Sequence, residues 1–175
     1  GFGDPYDLPN MSAYNETCAS VGMDYWNHRQ FLLHGDAKYI DIMERTLYNG
    51  LISGVSLKGD TFFYPNPLES NGQHARQEWF GVACCPGNIT RFLASVPGYV
   101  YAVQGDTIYA NLYAQGTATI QAGGTHKVEL AQETRYPWDG AVKITVTPDQ
   151  PRNFPIKLRI PGWARNQPVP SDLYR

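Results

Sequence analysis

A helical half followed by an antiparallel β-sandwich is the fold class this sequence predicts, an α+β arrangement with the two kinds of element segregated along the chain. Three observations carry it. Apolar residues recur at helical spacing through residues 1–98, the period becomes two after Gly98, and turn signals cut the second half into short runs.

The elements follow in order. Cys18, Val21, Gly22, Tyr25, Trp26, Leu32 and Leu33 are expected on one face of a helix of about 18 residues. Gly35 ends it, and Asp36 is suited to cap the next. Ile40, Met43, Leu47 and Leu51 repeat at helical spacing. So do Ile89, Phe92, Leu93 and Val96, opened by Pro86 and closed by Pro97-Gly98. Between these helices, residues 52–83 are rich in Gly, Pro, Asn and aromatics. A structureless stretch of that length is functional or hides an element, and Thr61-Phe62-Phe63-Tyr64 is expected to supply a short strand. After Gly98, Val100 and Ala102 alternate with Tyr99, Tyr101 and Val103 up to a Gly105-Asp106 turn. Ile108, Ala110 and Leu112 alternate with Tyr109, Asn111 and Tyr113. Val142, Ile144 and Val146 are expected to face inward, and so are Ile156, Leu158 and Ile160, opposite Lys157 and Arg159. Pro161-Gly162-Trp163 ends the last strand.

Composition narrows the function. The 175 residues suffice for one domain or two small ones with real cores. Fourteen basic against sixteen acidic residues leave no cationic stripe, which argues against nucleic acid as the main partner. No apolar run reaches the roughly 18 residues of a membrane span, so no membrane partner is expected. The aromatic content of 13% argues for a folded chain. The opening Gly1-Phe2-Gly3-Asp4-Pro5 reads as the interior of a longer protein.

The chemistry-bearing residues gather in the helical half. All three cysteines lie there, in Glu16-Thr17-Cys18 and Cys84-Cys85-Pro86. Spacing alone leaves three readings open: buried small apolar groups, a metal site, or redox chemistry. No CxxC is present, so this is no standard zinc-finger pattern. Pro86 suits a first helical position, which would put both adjacent thiols at a helix N-terminus, where unpaired N–H groups favour thiolate. Glu16 and Cys18 can act together only if Glu16 lies at or before the first turn, because mid-helix they would point apart. Three thiolates and one carboxylate would satisfy tetrahedral Zn²⁺. His74, in the polar stretch before Trp79-Phe80, is a candidate to face a cleft, and Tyr64 is a candidate to stack on a ligand or to pack within its loop. Asn10-Met11-Ser12, Asn15-Glu16-Thr17 and Asn88-Ile89-Thr90 match the glycosylation sequon, a pattern that recurs by chance.

Several strings together resemble one family. They are Tyr6-Asp7-Leu8-Pro9-Asn10, Ala13-Tyr14-Asn15-Glu16-Thr17-Cys18-Ala19-Ser20, Phe63-Tyr64-Pro65-Asn66-Pro67-Leu68, Cys84-Cys85-Pro86-Gly87-Asn88 and Leu158-Arg159-Ile160-Pro161-Gly162-Trp163-Ala164. In this order they resemble the bacterial β-L-arabinofuranosidase family. The resemblance implies an (α/α)6 barrel followed by β-sandwich domains, with residues 1–98 as the C-terminal portion of the catalytic barrel and 99–175 as a β-sandwich domain. It implies Zn²⁺ held by Glu16, Cys18, Cys84 and Cys85, with Cys84 also the nucleophile of a retaining glycoside hydrolase. That thiolate would attack the anomeric carbon, form a glycosyl-thioether and release the sugar to water, replacing the second carboxylate of an ordinary retaining enzyme. Tyr64 matches a tyrosine of the family's sugar pocket, and His74 is taken with it as substrate-binding. The family's acid/base glutamate is expected just upstream of Gly1, and no residue of the chain is assigned that role. The implied partner is an arabinofuranoside oligosaccharide or glycan. Rival readings are another sugar specificity on the same scaffold, a non-catalytic carbohydrate-binding or structural zinc protein, and thiol–disulfide exchange.

Overall fold

In the computed structural model, residues 3–5, 7 and 9–169 are described, so Tyr6 and Leu8 of the opening motif lie outside the described residues. The chain divides into two compact units, one running to Gly35 and resuming at Asp41–Ser95, the other comprising Asp36–Ile40 and the chain from Val96 onward.

The first unit is built on α1, Thr17–His34, and α3, Cys84–Ser95, with the part of α2, Ala37–Thr46, from Asp41 onward leading into a π stretch at Leu47–Leu51 and a 3₁₀ turn at Ile52–Gly54. Gly35 ends α1 as expected: at φ 67° it takes the left-handed conformation that glycine adopts without strain, and its N–H bonds to Phe31 O. Asp36 then accepts from the Lys38 N–H at 3.0 Å.

The expected face of α1 needs correction. The buried stripe is Thr17, Val21, Asp24, Asn27 and Phe31, while Trp26 is 62% and Leu33 74% exposed. Apolar side chains surround α1 on nearly every side, so periodicity alone did not choose its buried face. Asp24 is the outlier of that stripe. It is fully buried with both carboxylate oxygens lacking a hydrogen-bond partner, and burial pushes its carboxyl up to about 8.

The second stripe is interrupted where a continuous helix is expected. Ile40, Met43 and Leu51 are buried, but the ladder loosens at Leu47. There the chain passes so close to α1 that a Cβ on Gly50 would meet Ser20 Oγ at 2.6 Å, and one on Gly54 would meet Thr17 at 2.7 Å. The strand expected at 61–64 reduces to isolated bridges of Phe62 with Val55 and Gln77.

The second unit holds two three-stranded sheets. One has the order β1-β2-β6, from Tyr101–Gln104, Thr107–Ala110 and Ile156–Leu158. The other has the order β3-β4-β5, from Gly116–Ala122, His126–Thr134 and Val142–Pro148. Ile108, Ile120, Ala122, Val128 and Leu130 form the core, with Ile144 and Phe154 packed against it. Strands β3 and β4 escaped the sequence reading because Gly, Thr, Ala and Gln dilute their alternation. Two further expectations fail. The sheets are not wholly antiparallel, since β6 runs parallel to β2 with Ile108 opposite Ile156. The last run is also inverted: Arg159 is buried while Leu158 and Ile160 are 56% and 61% exposed. Arg159 turns inward because its Nε donates to Asn111 O at 2.5 Å, and its own carbonyl accepts from the Tyr113 hydroxyl. Among the described residues no helix is long and apolar enough to cross a membrane.

Candidate metal centre

The site is assembled at two helix N-termini in the first unit. Asn15, at φ 37°, turns the chain into α1. Glu16 occupies the N-cap position in an extended conformation, φ −61° and ψ 134°, and its side chain makes no capping bond. Its carboxylate is therefore not spent on the helix, and the requirement that Glu16 precede the first turn is met. Cys18 follows in that turn. The third helix begins at Cys84, slightly earlier than Pro86 implied, so both adjacent thiols sit in its first turn, among backbone N–H groups that have no partner within the helix.

Four acidic groups converge. Cys18 Sγ lies 3.3 Å from Cys84 Sγ and 3.2 Å from Cys85 Sγ, and the vicinal pair are 3.9 Å apart. Glu16 Oε1 is 3.7 Å from Cys84 Sγ and 3.6 Å from Cys85 Sγ. All four donor atoms fall within 4.8 Å of one another. Tetrahedral zinc, with Zn–S near 2.3 Å and Zn–O near 2.0 Å, requires S···S of about 3.8 Å and S···O of about 3.5 Å. The S···S separations bracket the first value and the two S···O separations lie slightly above the second, so the four donors could hold such an ion. Electrostatics agrees. Burial raises the Cys85 and Cys18 thiols, and Asn88 partly offsets this for Cys18. So many acids this close resist joint ionisation unless a cation shares the space.

A loop delivers Tyr64 to the same point. Buried Thr17 ties the loop to α1, because its N–H donates to Tyr64 O and its hydroxyl to Phe63 O, each at 3.0 Å. Asn66 Nδ2 donates to the Thr17 hydroxyl at 2.8 Å. Tyr64, braced edge-on by Phe80 at 5.2 Å, has its hydroxyl 2.6 Å from Cys84 Sγ. That hydrogen bond, ahead of burial, raises the Tyr64 phenol. His74 is not brought to the cluster. It stacks on Phe63 with centroids 4.7 Å apart, and its Nε2 lies 2.9 Å from Pro65 O. An open cleft of about 820 Å³ runs beside α1, lined by Asn15, Glu16, Ser20, Arg45, Asn49 and Asn66 among others. Glu16 connects it to the cluster, whereas Cys84 and Tyr64 are not in its wall.

The sequence reading missed Thr17, Asn66, Phe80 and Asn88. Asn88 was within reach of it: three and four residues beyond the vicinal cysteines on one helix is the spacing that shares a face, and its Nδ2 donates to Cys18 Sγ at 3.0 Å. The links of Thr17 and Asn66 span 46 and 49 residues, with no local signal.

The chain is similar to known proteins in sequence and in fold. Residues 1–98 match the profile described as β-L-arabinofuranosidase, GH127 catalytic domain, and residues 107–171 that described as the GH127 middle domain. A curated non-reducing end β-L-arabinofuranosidase of Bifidobacterium longum subsp. longum is 39% identical over 176 residues, covering 91% of this chain and 26% of the relative. A solved GH127 β-arabinofuranosidase is 58% identical with a TM-score of 0.93, over 98% of this chain and 27% of its own. A GH127 β-L-arabinofuranosidase from Geobacillus stearothermophilus T6 is 44% identical with a TM-score of 0.86, over 93% of this chain and 27% of its own. The chain thus spans about a quarter of the length of these relatives.

Proposed function

The chain belongs to the GH127 β-L-arabinofuranosidase family, and from that premise we propose that it is part of a zinc-dependent retaining glycoside hydrolase that releases L-arabinofuranose from β-L-arabinofuranosides. In this reading residues 1–98 are the C-terminal portion of an (α/α)6 barrel, and 99–175 belong to the β-sandwich that follows. Glu16, Cys18, Cys84 and Cys85 hold the ion, and bound zinc supplies the positive charge that keeps its cysteine ligands deprotonated at neutral pH.

Cys84 is the nucleophile. The observation that carries this choice is that Cys84 is the partly exposed residue of the vicinal pair, with the Tyr64 hydroxyl 2.6 Å from its sulfur, while Cys85 is fully buried. Cys84 Sγ attacks the anomeric carbon as the glycosidic C–O bond breaks, and the leaving oxygen takes a proton from the acid/base group expected upstream of this chain. Water then displaces the sulfur, with the same group accepting its proton. Two displacements at one carbon give net retention. Tyr64 orients Cys84 and contacts the sugar, and His74 supports Phe63, which lines the cleft beside Glu16.

The test uses the full-length protein and a chromogenic β-L-arabinofuranoside. Cys84→Ala is expected to lower kcat by a factor on the order of 10⁴ or more, and an activated arabinofuranosyl inhibitor is expected to label Cys84. Near-normal turnover by Cys84→Ala would refute the thiolate mechanism. One observation favours a second reading: four protein donors close a zinc coordination sphere, as in structural sites. Under that reading zinc clips α1 to α3, and no covalent sugar forms on Cys84.

A further inference from the structure

We infer that Asn88, held in one orientation by Arg91, is a positioning residue for the sulfur cluster: its amide N–H group donates to the Cys18 sulfur and sets the strength of that sulfur as a metal ligand. The inference rests on the zinc reading above and deepens it.

The geometry distinguishes Cys18 from its neighbours. Asn88 Nδ2 lies 3.0 Å from Cys18 Sγ, short for a nitrogen–sulfur hydrogen bond and consistent with an electron-rich sulfur. The amide has a single sense. Arg91, three residues on along α3, donates through its guanidinium to Asn88 Oδ1. A guanidinium can only donate, so the oxygen must face Arg91 and the NH₂ must face the sulfur. Each of the two partly exposed cysteines therefore has its own polar side-chain neighbour, the Tyr64 hydroxyl for Cys84 and the Asn88 amide for Cys18, whereas buried Cys85 lies among the other sulfurs, Glu16 and the Cys18 backbone N–H. A donor on a metal-bound thiolate withdraws electron density from sulfur and fixes the direction of its lone pairs, the two ways an outer group tunes a metal site. The division of labour is chemically useful. Cys18, restrained by Asn88, anchors the ion, and Cys84, oriented by Tyr64, is left to act as the nucleophile.

The experiment compares full-length wild-type protein with Asn88→Ala, Arg91→Met and the double variant. It reads Zn²⁺ affinity by chelator competition and the sulfur-to-metal charge-transfer band of the Co²⁺-substituted protein. Alanine suits a helix interior and leaves α3 intact. Asn88→Ala is expected to weaken Zn²⁺ binding about 10- to 100-fold, because Cys18 loses the group that fixes its orientation, and to move the charge-transfer band to longer wavelength, because an unbonded thiolate is easier to oxidise. Arg91→Met shifts both readouts in the same direction by less, and adds nothing once Asn88 is alanine. A purely structural role would leave the band unmoved. Affinity within threefold of wild type together with an unshifted band in Asn88→Ala would overturn the inference. Failure of the wild-type protein to bind metal at all would instead overturn the zinc reading, and this inference with it.

Discussion

Replacing Asp24 by asparagine is expected to change how stability responds to pH. The side chain is fully buried on α1, both of its carboxylate oxygens lack a partner, and its ionisation is displaced from 3.8 to about 8. The sign follows from proton counting. Below about pH 4 both folded and unfolded chains carry the proton, and the residue contributes no pH dependence. Between about pH 4 and pH 8 the unfolded chain has released it while the folded chain retains it, so each further pH unit lowers stability by about 1.4 kcal/mol. Above pH 8 both are ionised and the slope ends, leaving a cumulative penalty of order 6 kcal/mol at most. Asparagine does not titrate. Between pH 5 and pH 7.5 the stability of Asp24→Asn relative to wild type should therefore rise by about 3 kcal/mol, even if the amide costs something at every pH. Urea unfolding followed by helical circular dichroism across that range measures it. Parallel stability–pH curves for the two proteins would show that the carboxyl is solvated or paired in the folded state, and the reasoning would fail.

Two glycines should respond oppositely. A Cβ at Gly54 would lie 2.7 Å and 2.8 Å from two atoms of buried Thr17 and 3.3 Å from Ile89 Cδ1, so Gly54→Ala should cost about 1–3 kcal/mol by overpacking and weaken metal binding by shifting the start of α1. At Gly22 nothing lies within 4 Å of the added atom, so Gly22→Ala should raise stability by about 0.5–1 kcal/mol; thermal melts of both variants check the pair. Chelation should lower the melting temperature and expose all three thiols to a thiol reagent, because the acidic cluster joining α1 to α3 loses its shared cation. Thiols equally reactive before and after chelation, with an unchanged melt, would show that no ion had been there.

Much of the site was legible in the linear chain because its donors are few and chemically distinctive. Glu16, Cys18 and the Cys84-Cys85 pair stand out as groups that seldom gather without a task, and Pro86 marked where the second pair would meet a helix start. The second half gave up Val142 and Ile144 by alternation but hid β3, where Gly116, Thr117 and Ala118 carry little apolar signal. Residue type misled at Arg159: a cation expected outside is buried, because a backbone carbonyl waits for it there.

Local composition and spacing by themselves determined the three helices and strands β1, β2, β5 and β6, where Gly35 stops α1, and which four side chains are available as ligands. Only the tertiary structure decided that sulfurs 66 and 67 residues apart come within 3.3 Å, that Tyr64 leans on one sulfur and Asn88 on another, and that Asp24 faces inward without a partner. The reason is physical. Helix and strand arise from interactions a few residues long, whereas the separation of two thiols across a helix junction depends on how closely Gly50 and Gly54 let the remote segments pack, a quantity no stretch of adjacent residues contains.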